Sequence, residues 1–185
     1  MTSFINNDPS FYGTNIILLN NTICNTVNTG TAVRQWRDDS QDASFNTEVT
    51  RSSEQAYIGD YSVKIKCLIT ASCMATFYTY GSLVAGVEYE FSYKTLFPTD
   101  MQAHPLVLQA VVGTTAGGAE LGTSALMSTP LYPTGEWVQA NTTRFVATQS
   151  TAFLCWQMYS DHINDYVYID NFMVRPKKLD WSNDT

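Results

Sequence analysis

The sequence predicts an all-β domain, a sandwich or barrel of antiparallel strands, and three observations carry that prediction. Short runs of alternating apolar and polar residues recur along most of the chain, and Gly, Pro, Asn and Thr separate them. No segment of useful length carries a helical period. Aromatic residues make up 13%, with 11 Tyr and 9 Phe, while charged residues make up only 15%, below the roughly 25% usual for globular domains. Neutral Thr, Ser, Asn and Gln fill the positions that Lys and Glu take in helical proteins. The 185 residues fit one domain, long enough to bury a core without staples.

Taken in order, the candidate strands are NIILL (15–19), FNTEVTR (45–51), YSVKIKCLI (61–69), CMATFYTYG (73–81) and EYEFSYKTL (88–96). PLVLQAVVGT (105–114), WVQANTTRFVA (137–147), AFLCWQMYS (152–160) and YVYIDNFMV (166–174) follow. About nine strands suffice for two packed sheets. Strict alternation assigns side-chain faces. Tyr89, Phe91 and Tyr93 share one side of their strand, the expected core side, and Glu90, Ser92 and Lys94 share the other. Gln109 falls with Val107 and Val111, opposite Leu108 and Ala110. Phe153, Cys155, Gln157 and Tyr159 oppose Leu154, Trp156 and Met158. Gly59-Asp60, Gly86, Gly117-Gly118 and Gly135 lie between runs, where turns often need a positive φ, and Pro98 and Pro133 also sit in loops.

The formal charge of −7 disfavours phosphate backbones, so nucleic acid is not an expected partner. No apolar run approaches the roughly 20 residues of a membrane span, so membrane insertion is not expected. MTSFINNDPSFYG has neither a basic segment nor a long apolar one, so it reads as a complete product made in the cytoplasm rather than a secreted precursor. The four cysteines, Cys24, Cys67, Cys73 and Cys155, fit no zinc spacing. Cys67 and Cys73 flank LITAS and are placed to meet across a hairpin. The alternative, favoured by the missing leader, is four reduced and mostly buried thiols.

Six patterns in succession, NIILLNNTI, AYIGDYSVKIK, LVAGVEYEFSYKT, PTGEWVQANTTRFVA, TAFLCWQMYS and YVYIDNFMV, resemble the non-catalytic carbohydrate-binding modules with a galactose-binding-like β-jelly-roll that are attached to xylanases and cellulases. The resemblance covers roughly residues 15–174, and the closing Tyr-Ile-Asp-Asn-Phe strand is its strongest element. It implies a jelly-roll β-sandwich of two antiparallel sheets. It also implies a structural calcium held by Asp170 of the closing strand with oxygens from the first strand and its turn, here Asn20 and Asn21. The acidic residue that relatives carry after the first strand is replaced near Ile23-Cys24. The other reading of Asp170 is a carboxylate that accepts backbone N–H bonds from a loop.

A glycan is expected on a sheet face or on edge loops. A face bearing Ser92, Lys94, Gln109, Gln157 and Tyr159 supplies amides and hydroxyls for sugar hydroxyls and a ring for stacking. The same residues also describe an ordinary solvated face. Trp36, flanked by charge in RQWRDDSQD, either stacks on a ligand or packs on a neighbour. Trp137 and Trp156 read as core. Catalysis is not expected: the two histidines are His104 and His162, SDHIND with Asp161, His162 and Asp165 reads as a loop, and no GxSxG, HExxH or phosphate loop is present.

Free-standing jelly rolls of this kind occur on bacteriophage virions. The resulting expectation is a non-catalytic virion structural protein, a capsid decoration or tail-associated protein on the virion surface, made in the host cytoplasm. Its arms at 1–14 and 175–185 would dock on other virion proteins, its copies would be homo-oligomeric or symmetry-arrayed, and any host or environmental glycan would be bound weakly and multivalently. Frayed ends are the other reading of both arms. The alternatives are a stand-alone or excised carbohydrate-binding module of an extracellular polysaccharide-degrading enzyme, and a structural jelly roll with a dead sugar site.

Overall fold

The alternating runs do form strands. In a computed structural model that describes residues 36–37, 46–78, 83–103, 105–129 and 131–177, the strands are β1 (Trp36–Arg37), β2 (Thr47–Ser52), β3 (Ser62–Cys67), β4 (Ser72–Tyr78), β5 (Glu88–Leu96) and β6 (Val107–Gly113). They continue as β7 (Gly122–Thr123), β8 (Met127–Ser128), β9 (Trp137–Gln139), β10 (Thr143–Val146), β11 (Phe153–Tyr159) and β12 (Tyr166–Pro176). A short 3₁₀ segment, Thr99–Ala103, follows β5. The expected strand at 15–19 and most of both expected arms lie outside the described residues. Residues 175–177 are described: Arg175 and Pro176 end β12, and Lys177 pairs its ammonium with Glu88 at 2.8 Å.

The strands make two antiparallel sheets. Sheet one runs β1-β4-β11-β6-β7, with β8 also paired to β6, and sheet two runs β10-β5-β12-β3-β2, with β9 also paired to β5. The inward residues of both sheets form one core. Sheet one contributes Leu108, Ala110 and Val112 of β6 and Leu154, Trp156 and Met158 of β11. Sheet two contributes Val63, Ile65, Tyr89, Phe91, Tyr93, Val167, Ile169 and Val174. The Trp156 ring crosses between the sheets and meets Phe91 and Tyr93 edge-on at 5.4 and 5.6 Å. The alternation therefore assigned the core faces of β5, β6 and β11 as expected.

Two strands depart from simple alternation. The expected single strand over 137–147 is broken. Gln139 faces Lys94 while Thr143 faces Phe91, so four steps on one side match three on β5, and the extra residue is absorbed at 140–142. In β12, Asp170 faces Lys94 while Met173 faces Ser92, so three steps match two. Asn171 takes up this bulge with φ 46°, a left-handed conformation that Asn tolerates better than most residues. The turn glycines behave as expected: Gly86 and Gly135 have φ of 84° and 78°.

The expectation of four reduced thiols is corrected. Cys67 and Cys73 form a disulfide with Cα atoms 5.8 Å apart, within the ordinary range. They do not meet across a hairpin. Cys67 ends β3 in sheet two and Cys73 lies in β4 of sheet one, so the bond ties the two sheets at a corner. Cys155 is buried, and Cys24 lies outside the described residues. Closing a loop this short is worth about 2 kcal/mol by loss of unfolded-state freedom. Reduction is expected to lower the melting temperature by about 5 °C. An unchanged melting curve in dithiothreitol, or in the Cys67→Ser/Cys73→Ser variant, would contradict the bond.

Candidate functional site

Alternation leaves one row of each sheet-one strand facing away from the core. On β6 these are Val107, Gln109, Val111 and Gly113, and on β11 they are Phe153, Cys155, Gln157 and Tyr159. The register sets Gln157 directly beside Gln109 on one side and Met74 of β4 on the other. Tyr159 lies beside Val107 and Ser72. Met127 of β8 is buried opposite Leu108, so its neighbours Leu126 and Ser128 face outward. Tyr159 is 51% exposed and Leu126 is 59% exposed. The Gln109 side chain is held by its Nε2, which donates to the Ser124 carbonyl at 2.8 Å and leaves its amide oxygen as an acceptor. The face thus joins two adjacent amides to an exposed phenol ring and aliphatic surface. The strands β4, β6, β7, β8 and β11 contain no Asp, Glu, Lys or Arg.

The face does not gather every expected residue. Gln109, Gln157 and Tyr159 come together, but Ser92 and Lys94 sit on β5 of sheet two, facing away from the core on the opposite side of the sandwich. Alternation tells which side of its own strand a residue takes, not which sheet the strand joins. The Lys94 ammonium lies 4.8 Å from the Tyr57 ring centre, and Ser92 faces Met173. Trp36 pairs with Phe77 through the backbone of β1, and its side chain lies outside the described residues. Met74 and Leu126 were missed. CMATFYTYG does not alternate clearly enough to give Met74 a face, and β8 is too short to show alternation.

Sheet two carries the charge. Lys66 pairs with Glu48, Lys64 with Glu54 at 2.8 Å, and Arg175 and Arg144 both reach Glu90 at 3.1 and 3.4 Å. Asp170 belongs to this outer face but is completely buried, because the 53–61 loop folds over it. Its Oδ2 accepts the Tyr57 and Ile58 N–H groups at 2.8 and 3.1 Å, and its Oδ1 accepts the Asn171 N–H at 2.6 Å. Burial pushes this carboxyl above its ordinary range, and the N–H bonds from Ile58, Asn171 and Tyr57 oppose that push. Ser62 ties the same loop, its hydroxyl donating to the Gln55 carbonyl at 2.6 Å.

No family model and no curated protein matches the chain. Solved structures do. The CBM22-1 xylan-binding domain of Paenibacillus barcinonensis Xyn10C superposes with a TM-score of 0.62 at 16% identity, over 90% of this chain and 97% of that one. The fold is a jelly-roll β-sandwich, shared with that domain. The C-terminal family 22 carbohydrate-binding module of Clostridium thermocellum Xyn10B gives 0.53 at 22% identity, over 78% of this chain and 87% of that one. TmCBM61 in complex with β-1,4-galactotriose gives 0.50 at 18% identity, over 78% and 90%. Identities this low show a shared fold.

Within this jelly roll, the expected calcium needs six to eight oxygen ligands. Asn20 and Asn21 lie outside the described residues, and among those described no group of three His, Cys, Asp or Glu is placed to hold a metal. The Asp170 oxygens face three N–H donors instead. The bonds that the described residues make to Asp170 are those of the loop-pinning reading.

The SDHIND segment is a structural turn. The Ser160 hydroxyl bonds the Asp165 carboxylate, the His162 N–H donates to Ser160 Oγ at 3.0 Å, and the Asp165 carbonyl accepts the Cys67 N–H at 2.8 Å. Asp161 and His162 are exposed. His104 lies outside the described residues.

Proposed function

We propose that this chain is a non-catalytic glycan-binding module whose site is the outer face of β4, β11, β6 and β8. The observation that carries this reading is the side-by-side pair Gln109 and Gln157 next to exposed Tyr159 and Leu126. Amides bond sugar hydroxyls in both directions, and an aromatic ring takes the apolar face of a pyranose. The absence of charged residues from these strands, on a chain of net charge −7, favours an uncharged glycan. The xylan-binding domain and the galactotriose complex among the structural neighbours support the same ligand class. The disulfide supports an oxidising, extracellular setting. Attachment to a virion through terminal arms is a separate proposal, and no observation on the described residues favours it.

Calorimetric titration with xylohexaose and β-1,4-galactotriose tests the reading. Tyr159→Ala and Gln157→Ala are each expected to weaken binding by about tenfold, or about 1.4 kcal/mol. Their melting temperatures should stay near wild type, because Tyr159 is exposed and Gln157 lies outside the core. Unchanged affinity in both variants would remove the face from consideration.

A further inference from the structure

The outer face of sheet one is not uniformly open. One row along from Gln109 and Gln157 come Val111 and Cys155, also outward by alternation, yet these are 1% and 0% exposed. Neither belongs to the core between the sheets. The loop at residues 114–120 lies over this end. The Gly117 N–H donates to Cys155 Sγ at 3.3 Å. A Cβ on Gly113, which would point outward, would come 2.5 Å from the Gly118 carbonyl carbon, so the loop backbone occupies the space above β6. Glu120 clamps the loop, its Oε1 accepting both the N–H and the hydroxyl of Thr114 at 2.5 Å. Gln149 adds a bond from its Nε2 to the Thr114 carbonyl at 3.3 Å.

From this geometry we infer that the 114–120 loop is a specificity wall along one side of the sugar-binding face. The inference rests on the glycan-binding reading. Between the wall and the end of β11 the open face spans one two-residue step, about 7 Å, whereas across β4, β11, β6 and β8 it spans three strand spacings, about 14 Å. A glycan chain therefore lies across the strands with one long side against the loop. At the other side β11 ends at Tyr159, and the following turn leans toward sheet two, where the Asn164 N–H donates to the Cys67 carbonyl at 2.8 Å. That side is open. The site accepts a short segment of unbranched glycan and rejects one whose backbone carries sugar branches on both sides, because the wall-side branch meets backbone rather than a movable side chain.

The test titrates xylohexaose and β-1,4-galactotriose against counterparts bearing dense arabinosyl branches. Wild type should bind the better linear probe at least about tenfold tighter than its branched counterpart. Replacing residues 115–119 with two glycines should shrink that ratio to about threefold or less. Glu120→Ala, which loosens the clamp without touching the core, should shrink it in the same direction and decides the matter if the shortened loop does not fold. Equal wild-type affinity for linear and branched probes, or a ratio unmoved in Glu120→Ala, overturns the wall and leaves the glycan site standing. Failure of every saccharide to bind overturns both.

Discussion

Asp170→Ala is expected to destabilise the fold by about 3 kcal/mol, because it orphans the N–H groups of Tyr57, Ile58 and Asn171 beneath the loop, and a buried unsatisfied donor costs about 1–3 kcal/mol. In a chain of this size that is a fall of roughly 6–12 °C in melting temperature. Chemical denaturation followed by tryptophan fluorescence measures it, and a loss under about 1 kcal/mol would mean that the loop does not depend on the carboxylate. The pH dependence has a definite sign. Burial raises the folded pKa of Asp170 above its unfolded value of about 3.9, so its contribution to stability is fully present below that value and is lost as pH rises through the folded pKa. The stability difference between wild type and Asp170→Asn should therefore grow as pH falls from 7 toward 4. If it shrinks instead, the three N–H bonds outweigh burial and the folded pKa is depressed.

Trp156→Ala should cost about 3–5 kcal/mol, the range for truncating a large buried aromatic. The ring is fully buried and is the contact through which β11 of sheet one meets Phe91 and Tyr93 of sheet two. Trp156→Phe keeps an aromatic edge in that gap and should recover more than half of the loss. Trp156 lies between Cys155 and Gln157, so the same strand carries core on one side and the proposed sugar-binding face on the other. Glycan affinity of folded Trp156→Phe should therefore change little while its melting temperature drops. An alanine variant as stable as wild type would mean that the aromatic cluster does not join the sheets.

How much of this was legible beforehand depends on the range of the interaction involved. The two-residue period of EYEFSYKTL, PLVLQAVVGT and AFLCWQMYS set the core faces of β5, β6 and β11, because a strand's pleat is local and needs no partner. The pairing of Gln157 with Gln109 depends on register, and the exile of Ser92 and Lys94 to the opposite sheet depends on which sheet β5 joins. Both are set by contacts between distant segments. The same limit applied to Cys67 and Cys73, whose close spacing suggested a hairpin where the chain turns a corner between sheets.

The closing strand shows the division most clearly. The sequence by itself determined that YVYIDNFMV is a strand and that it carries a carboxylate, Asp170, in its middle. Only the tertiary structure decided what that carboxylate does. A buried carboxylate must find donors, and those donors come from Tyr57 and Ile58, more than a hundred residues earlier, brought over β12 by the fold of sheet two. Likewise, neutral composition is visible along β4, β6 and β11, but gathering those strands side by side required the sheet order. Side-chain direction follows from the backbone of a single segment, whereas burial and partnership follow from the packing of many.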